Sequence, residues 1–206
     1  MQQAARGLAA SAAIGGLTAL LALWPGVGVA SPRPGAPSRA RALPRGFRWF
    51  APAQAPAAWK RSSLPSGGAI LSYPASLSPV RSDSVSIAFG RTDSSGRILV
   101  YLNATPKQAA EHLATWPTFR IAHNRLESKD VHEDASAFGL TFIGGSGSCV
   151  IDDYVTRGVH SNHYREIACF VRGSTTSSVV VAAALGSQWK RNARLLERAV
   201  DSYQLS

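Results

Sequence analysis

The chain has 206 residues, 22 basic and 12 acidic side chains, a net charge of +10 and two cysteines. Seven of the basic residues (Arg33, Arg39, Arg41, Arg45, Arg48, Lys60 and Arg61) fall in 31–61, which contains no acid, whereas 62–206 holds 14 basic and 12 acidic residues. The basicity therefore belongs to a tail, and the rest of the chain is nearly neutral, which argues against a nucleic-acid-binding domain.

Residues 1–30, MQQAARGLAASAAIGGLTALLALWPGVGVA, carry one charge, Arg6, followed by an apolar run. This is the layout of a secretory signal, with Gly28-Val29-Ala30 before Ser31 as the cleavage site, between Ala30 and Ser31. The alternative is an uncleaved anchor over 7–30, because the run approaches the roughly 20 residues that span a bilayer. Trp24-Pro25-Gly26 would break such a helix and suits a signal better. No cysteine lies near Ala30 to carry a lipid anchor. The expected location is secreted or extracytoplasmic, where paired cysteines form disulfides.

Residues 31–61, SPRPGAPSRARALPRGFRWFAPAQAPAAWKR, have a Pro/Ala/Arg composition that predicts a disordered linker. Two roles fit it: loose contact with anionic surface polymer or lipid headgroups, or a soluble spacer. Phe47, Trp49 and Phe50 could stack on bases, but an exported protein rarely meets nucleic acid, and none is expected as a partner.

The remaining 62–206 are long enough for one domain with a real core. Ala69–Tyr73 reads as a strand stopped by Pro74. Ser84–Phe89 alternates, with Val85, Ile87 and Phe89 on one face; RTDSSG turns the chain, and Arg97–Leu102 returns as its partner. In NATPKQ, Thr105 and Gln108 have capping-box spacing around Pro106, which predicts a helix running to about Leu126. That helix would carry Ala109, Leu113 and Trp116 on one face, with Pro117 kinking it and His112 and His123 riding on it. Asn103-Ala104-Thr105 is formally a glycosylation acceptor, but the capping role of Thr105 makes the structural reading better. His132, in KDVHED, is expected in a solvated connector. Strands follow at 137–142, 148–156, 163–171 and 177–184. The final helix, 187–203, sets Trp189, Ala193, Leu196, Val200 and Tyr203 on one stripe and most of its charges on the other. The order strands, helix, strands, helix predicts an α+β fold, a central antiparallel sheet flanked by two helices.

SCVIDDYVTRGVHSNHYREIACF, 148–170, holds both cysteines. With Cys149 opposite Cys169 as a disulfide, Ile151 meets Ile167, Asp153 meets Arg165 and Tyr154 meets Tyr164, all favourable cross-strand pairs. Such a bridge would contribute about 3 kcal/mol on the chain-entropy account. The cysteines lack Cys-x-x-Cys spacing, so a zinc site is disfavoured; His160 and His163 could supply two metal ligands, with Asp152 or Asp153, but spacing fixes no third. Asp152 and Asp153 point to opposite faces and cannot form an acid–base pair. Asp152 opposes Glu166, a pair relieved by an arginine such as Arg157 or Arg172, or else a weak cation site. GGSGS, 144–148, lacks both the Gly-Lys-Ser/Thr ending of a phosphate loop and the Gly-x-Ser-x-Gly of a hydrolase elbow.

The stretches YP (73–74), SVSIAFG (84–90), YLNATP (101–106), FR (119–120), GSCVIDDYVTR (147–157) and YREIAC (164–169) together resemble a group of uncharacterised exported proteins of high-GC Gram-positive bacteria. The element order is similar, more distantly, to the PsbP-like fold of the extrinsic photosystem subunit, an αβα-type sandwich. That resemblance implies an assembly, docking or ligand-presenting role, and it carries no catalytic residue or cofactor to any position here. The leading expectation is an exported, non-enzymatic binding or scaffolding domain whose partner is an envelope protein or an anionic surface polymer. The alternative is a small secreted hydrolase, or a metal-binding protein using the His160/His163 loop.

Overall fold

The computed structural model describes residues 42–158 and 160–206. The signal segment, the Ala30/Ser31 junction and residues up to 41 lie outside the described residues. A short 3-10 turn at Arg45–Phe47 precedes β1 (Lys60–Ser63), β2 (Ala69–Tyr73), β3 (Ser78–Pro79), β4 (Ile87–Thr92) and β5 (Ile98–Pro106). Then come α1 (Trp116–Glu127), β6 (Ser128–Phe142), β7 (Gly145–Thr156), β8 (His163–Arg172), β9 (Ser177–Leu185), α2 (Gly186–Asp201) and β10 (Gln204–Leu205).

Seven strands form one antiparallel sheet in the order β3-β4-β5-β9-β8-β7-β6, and β1-β2-β10 form a second, smaller one. Alternation sends Cys149, Ile151, Ile167, Cys169, Val180, Ala182 and Ala184 to the face covered by Leu196, Ala199 and Val200 of α2. It sends Val150, Ala168, Phe170, Val179, Val181 and Ala183 to the opposite face, under Trp116 and Ile121 of α1. Two helices on two faces of an antiparallel sheet give the α+β sandwich expected from the element order. Among the described residues, no helix is long and apolar enough to cross a membrane.

The β7–β8 register is the one the side chains ask for: Cys149↔Cys169, Ile151↔Ile167, Asp152↔Glu166, Asp153↔Arg165 and Tyr154↔Tyr164. Cys149 and Cys169 are bonded as a disulfide. The stripe of α2 holds at Leu196 and Val200, both buried, while Tyr203 lies just past the helix end and shares a 2.7 Å hydrogen bond with Ser178.

Three expectations are corrected. Thr105 caps no helix. β5 continues through it to Pro106, which pairs with Ser178, and the Thr105 hydroxyl accepts from Ser86 and from Gln108. The helix begins only at Trp116, with Pro117 in its first turn, where a missing N–H costs nothing. His112 therefore precedes the helix and only His123 rides on it. Secondly, KDVHED is strand: His132 pairs with Asp153 inside β6, whose alternation is broken by register shifts. β6 lies at a sheet edge, and bulges and charges are the devices that keep an edge from pairing with another chain.

Thirdly, the domain starts well before residue 62. Phe47 is fully buried and Phe50 nearly so, and both belong to the α2-side core. Gly46 approaches β6 so closely that a Cβ there would lie 2.7 Å from the Ala135 Cβ. The backbone N–H of Ala51 donates to the Asp201 carboxylate at 2.9 Å, and Arg198 donates to the Gln54 carbonyl. Average composition hides this, because three aromatics within four residues supply enough apolar surface to order a segment otherwise rich in Pro, Ala and Arg. Replacing Phe47 with Ala should cost about 3–5 kcal/mol in urea unfolding of the full chain; a silent substitution would return this segment to the linker.

Candidate functional site

The polar residues buried in this sheet lie mainly beneath α1. Asp152 and Glu166 face each other across β7 and β8, both with no exposed surface. Arg120 reaches down from α1 and donates from Nε to Glu166 Oε1 at 2.7 Å and from Nη2 to Oε2 at 2.9 Å. One helical turn further on, Asn124 donates from Nδ2 to Asp152 Oδ2 at 2.8 Å and to Glu166 Oε1 at 3.2 Å. Trp116, one turn earlier, donates its indole N–H to the Ala168 carbonyl at 2.9 Å. Residues 116, 120 and 124 thus form one polar stripe that fastens the helix to the sheet.

Two buried carboxyls share one cation, so their protonation diverges. Burial, and then the Glu166 charge, push the Asp152 carboxyl up to about 8. Burial works the same way on Glu166, but the Arg120 charge and its hydrogen bonds outweigh it and hold Glu166 below its ordinary value. Asp152 Oδ1 accepts from no donor among the described residues. Of the two carboxyls, burial and the neighbouring charge favour the proton on Asp152, while Arg120 favours the charge on Glu166.

The expected relief of the Asp152–Glu166 pair comes from an arginine, but not from Arg157 or Arg172. Arg157 is spent on the carbonyls of Ser128 and Arg125, and Arg172 is exposed at the sheet end. The signal that points to Arg120 is the Arg/Asn pair at i, i+4 on a helix that must cover two carboxylates.

On the other face, Asp153 accepts from Arg165 at 2.5 Å and faces His163 Nε2 at 3.1 Å; Arg165 also pairs with Asp134 and lies over the Trp189 ring. His163 packs so tightly on the start of α2 that a Cβ at Gly186 would lie 2.2 Å from its Nδ1. His160 is exposed in the turn, where its carbonyl accepts from Asn162. His163 is thus turned onto Asp153 and away from any shared site with Asp152, and among the described residues no group of three His, Cys, Asp or Glu is placed to hold a metal.

An open cleft of about 200 Å³ lies between α1 and the connector after β5, walled by Glu111, Trp116, Phe119, Arg120, His123 and Val179. The Glu111 carboxylate accepts from the backbone N–H groups of Gln108 and Ala109, at 3.4 and 2.7 Å, and so shapes that connector.

No family model matches the chain, and no curated protein matches it in sequence. Among solved structures it is similar to cyanobacterial PsbP (CyanoP) of Synechocystis sp. PCC 6803, at 10% identity and a TM-score of 0.51 over 73% of this chain and 94% of that one. It is also similar to LpqN of Mycobacterium tuberculosis, described as involved in cell envelope biogenesis, at 12% identity and a TM-score of 0.46 over 72% and 90%. A Pseudomonas aeruginosa protein of unknown function, described as a putative regulator, matches at 8% identity and a TM-score of 0.46 over 70% and 94%. The fold is PsbP-like; at these identities the likeness is one of fold alone.

Removing Arg120 leaves a buried, uncompensated Glu166. Arg120→Gln should cost about 3–5 kcal/mol, and Glu166→Gln added to it should recover a large part of that loss. Asp152 gives a pH signature. Well below pH 3.8 the folded and unfolded chains are both protonated there. Between its ordinary 3.8 and about 8 only the unfolded chain ionises, so stability falls as pH rises, and the loss levels off above about 8. Asp152→Asn removes this slope: its gain over wild type should be smallest near pH 3 and grow by roughly 1.4 kcal/mol per pH unit up to about 8, reaching several kcal/mol at pH 8.5. Parallel pH profiles for the two proteins would mean that Asp152 is ionised in the fold.

Proposed function

We propose that this chain is an exported, non-enzymatic binding or scaffolding domain of the cell envelope, one of a group of such proteins in high-GC Gram-positive bacteria. Its partner is another envelope protein or an anionic surface polymer. The observation that carries the reading is the Cys149–Cys169 disulfide in the middle of the sheet, because such a bond persists in an oxidising compartment and not in the cytosol. The signal-like residues 1–30 support the same address, and the arginines of 31–48 offer a surface polymer its counter-charge.

Binding is favoured over hydrolysis by how the polar groups are spent. Arg120, Asn124, Asp152 and Glu166 bond to one another and hold a helix in place. The His163–Asp153 pair is occupied by Arg165 and stands at the turn end of the β7–β8 hairpin, where His163 opposes Val155. The two serines of the Gly-rich stretch, Ser146 and Ser148, lie seven or more residues back along β7 from Val155, on the order of 23 Å or more away. Nucleophile and base need hydrogen-bond reach, which this separation denies.

The intact mass of the protein secreted by a high-GC Gram-positive host tests the address. The expected chain starts at Ser31, lacks two hydrogens and takes up no alkylating agent after denaturation without reductant. A full-length cytosolic product with two alkylated thiols would overturn it.

A further inference from the structure

Arg120 has three side-chain nitrogens, and Glu166 takes two of them. Among the described residues no acceptor takes the third, Nη1, and the side chain is 19% exposed where it walls the cleft beside α1. An arginine fixed by a bidentate partner behind it and open in front is a preorganised donor. His123 stands beside it on the same helix, stacked on Phe119 and 45% exposed, with Glu127 its nearest carboxylate at 3.8 Å. On this wall Nη1 of Arg120 is a fixed cationic donor, with a ring nitrogen of His123 and the Gln108 side-chain amide beside it, and the cation asks for an oxyanion.

The rest of the cleft limits what carries that oxyanion. Phe119, Trp116 and Val179 make an apolar side, and about 200 Å³ is below the usual range for drug-sized ligands, so it suits a ring or a short branched chain. Glu111 lies on the same wall, buried and fixed by two backbone N–H groups, and Glu166 already offsets part of the Arg120 charge. A second negative charge on the ligand would meet Glu111 uncompensated.

We propose that this cleft binds a small organic acid with a single negative charge, its carboxylate on Nη1 of Arg120 and its apolar body against Phe119 and Val179. The inference rests on the reading of the chain as a binding domain and names the ligand class for one of its surfaces.

Phenylacetate titrated into the full-length, isotope-labelled protein tests it by NMR. The resonances to follow are the Trp116 indole N–H, the Arg120 Nε–H and the amides of 118–123. Saturable shifts confined to these groups are expected. Phenylacetamide, which has the shape without the charge, and phenyl phosphate, which has two charges, should each bind at least about tenfold more weakly. Arg120 variants are destabilised, so the decisive substitutions are Phe119→Ala and His123→Ala. Each should weaken phenylacetate at least about threefold while leaving the dispersed amide spectrum intact. Shifts that do not saturate, an amide that binds as tightly as the acid, or Phe119→Ala without effect would each overturn the assignment. None of these would disturb the export reading, which the secreted mass decides, and a cytosolic, reduced protein would leave the titration result standing.

Discussion

Cys149 and Cys169 face each other across β7 and β8, and with the pairing fixed there, period-two alternation assigns the remaining side chains of the hairpin to a face. Val150, Asp152 and Tyr154 go toward α1 with Glu166, Ala168 and Phe170. Ile151 and Asp153 go toward α2 with Arg165 and Ile167. A slip of one residue would exchange these sets, burying Asp153 under α1 and turning Asp152 onto the α2-side core. The register therefore decides that two carboxylates are buried together and that a third makes a partly exposed pair with Arg165.

Burying Asp152 and Glu166 is a cost that the fold offsets from α1. Ion pairs of this kind contribute little net stability compared with apolar side chains of the same volume, so the pair is poorly explained as a source of strength. What it supplies is position. A bidentate guanidinium accepts one orientation, and Asn124 one turn away fixes the rotation of the helix about its axis. The same contacts decide where α1 leaves its other groups. With Nε and Nη2 of Arg120 held by Glu166, Nη1, Phe119 and His123 are left at the cleft rather than on the sheet. Helix placement and cleft chemistry are thus one arrangement.

Where alternation or helical periodicity is strong, the sequence was enough: β2, β7, β8, β9 and α2 lie within a few residues of their expected positions, and all four proposed cross-strand pairs form. Reading failed where a local rule was correct but outweighed. Thr105 and Gln108 do bond each other, as their spacing suggests, yet the ladder to β9 holds Thr105 in a strand, and cross-strand pairing outweighed a capping box. Only the second half of β6 is legible in the sequence, because its bulges break the alternation that marks a strand. The aromatics at 47, 49 and 50 sit in a Pro/Ala/Arg composition whose average hides a cluster. For the site, the opposed carboxylates and their need of an arginine were legible, but the donor was not. Arg120 is 46 residues from Glu166, and only the placement of α1 brings them together.

The two faces of the sheet are unequal, and the inequality bears on where function can sit. Among the described residues, twenty-six buried apolar residues pack on the α2 side and eight on the α1 side. The larger core is sealed at its margins: Tyr203 bonds Ser178, and Asp201 accepts from Ala51, so the chain before β1 is tied to the end of α2. Hydrophobic burial scales with area, so most of the stability comes from that side. The smaller face is then free to carry groups that a core could not tolerate, including two carboxylates, a half-committed arginine and a stacked histidine. A sheet stabilised through one face can afford polar chemistry on the other, and here that chemistry lies beneath and beside α1.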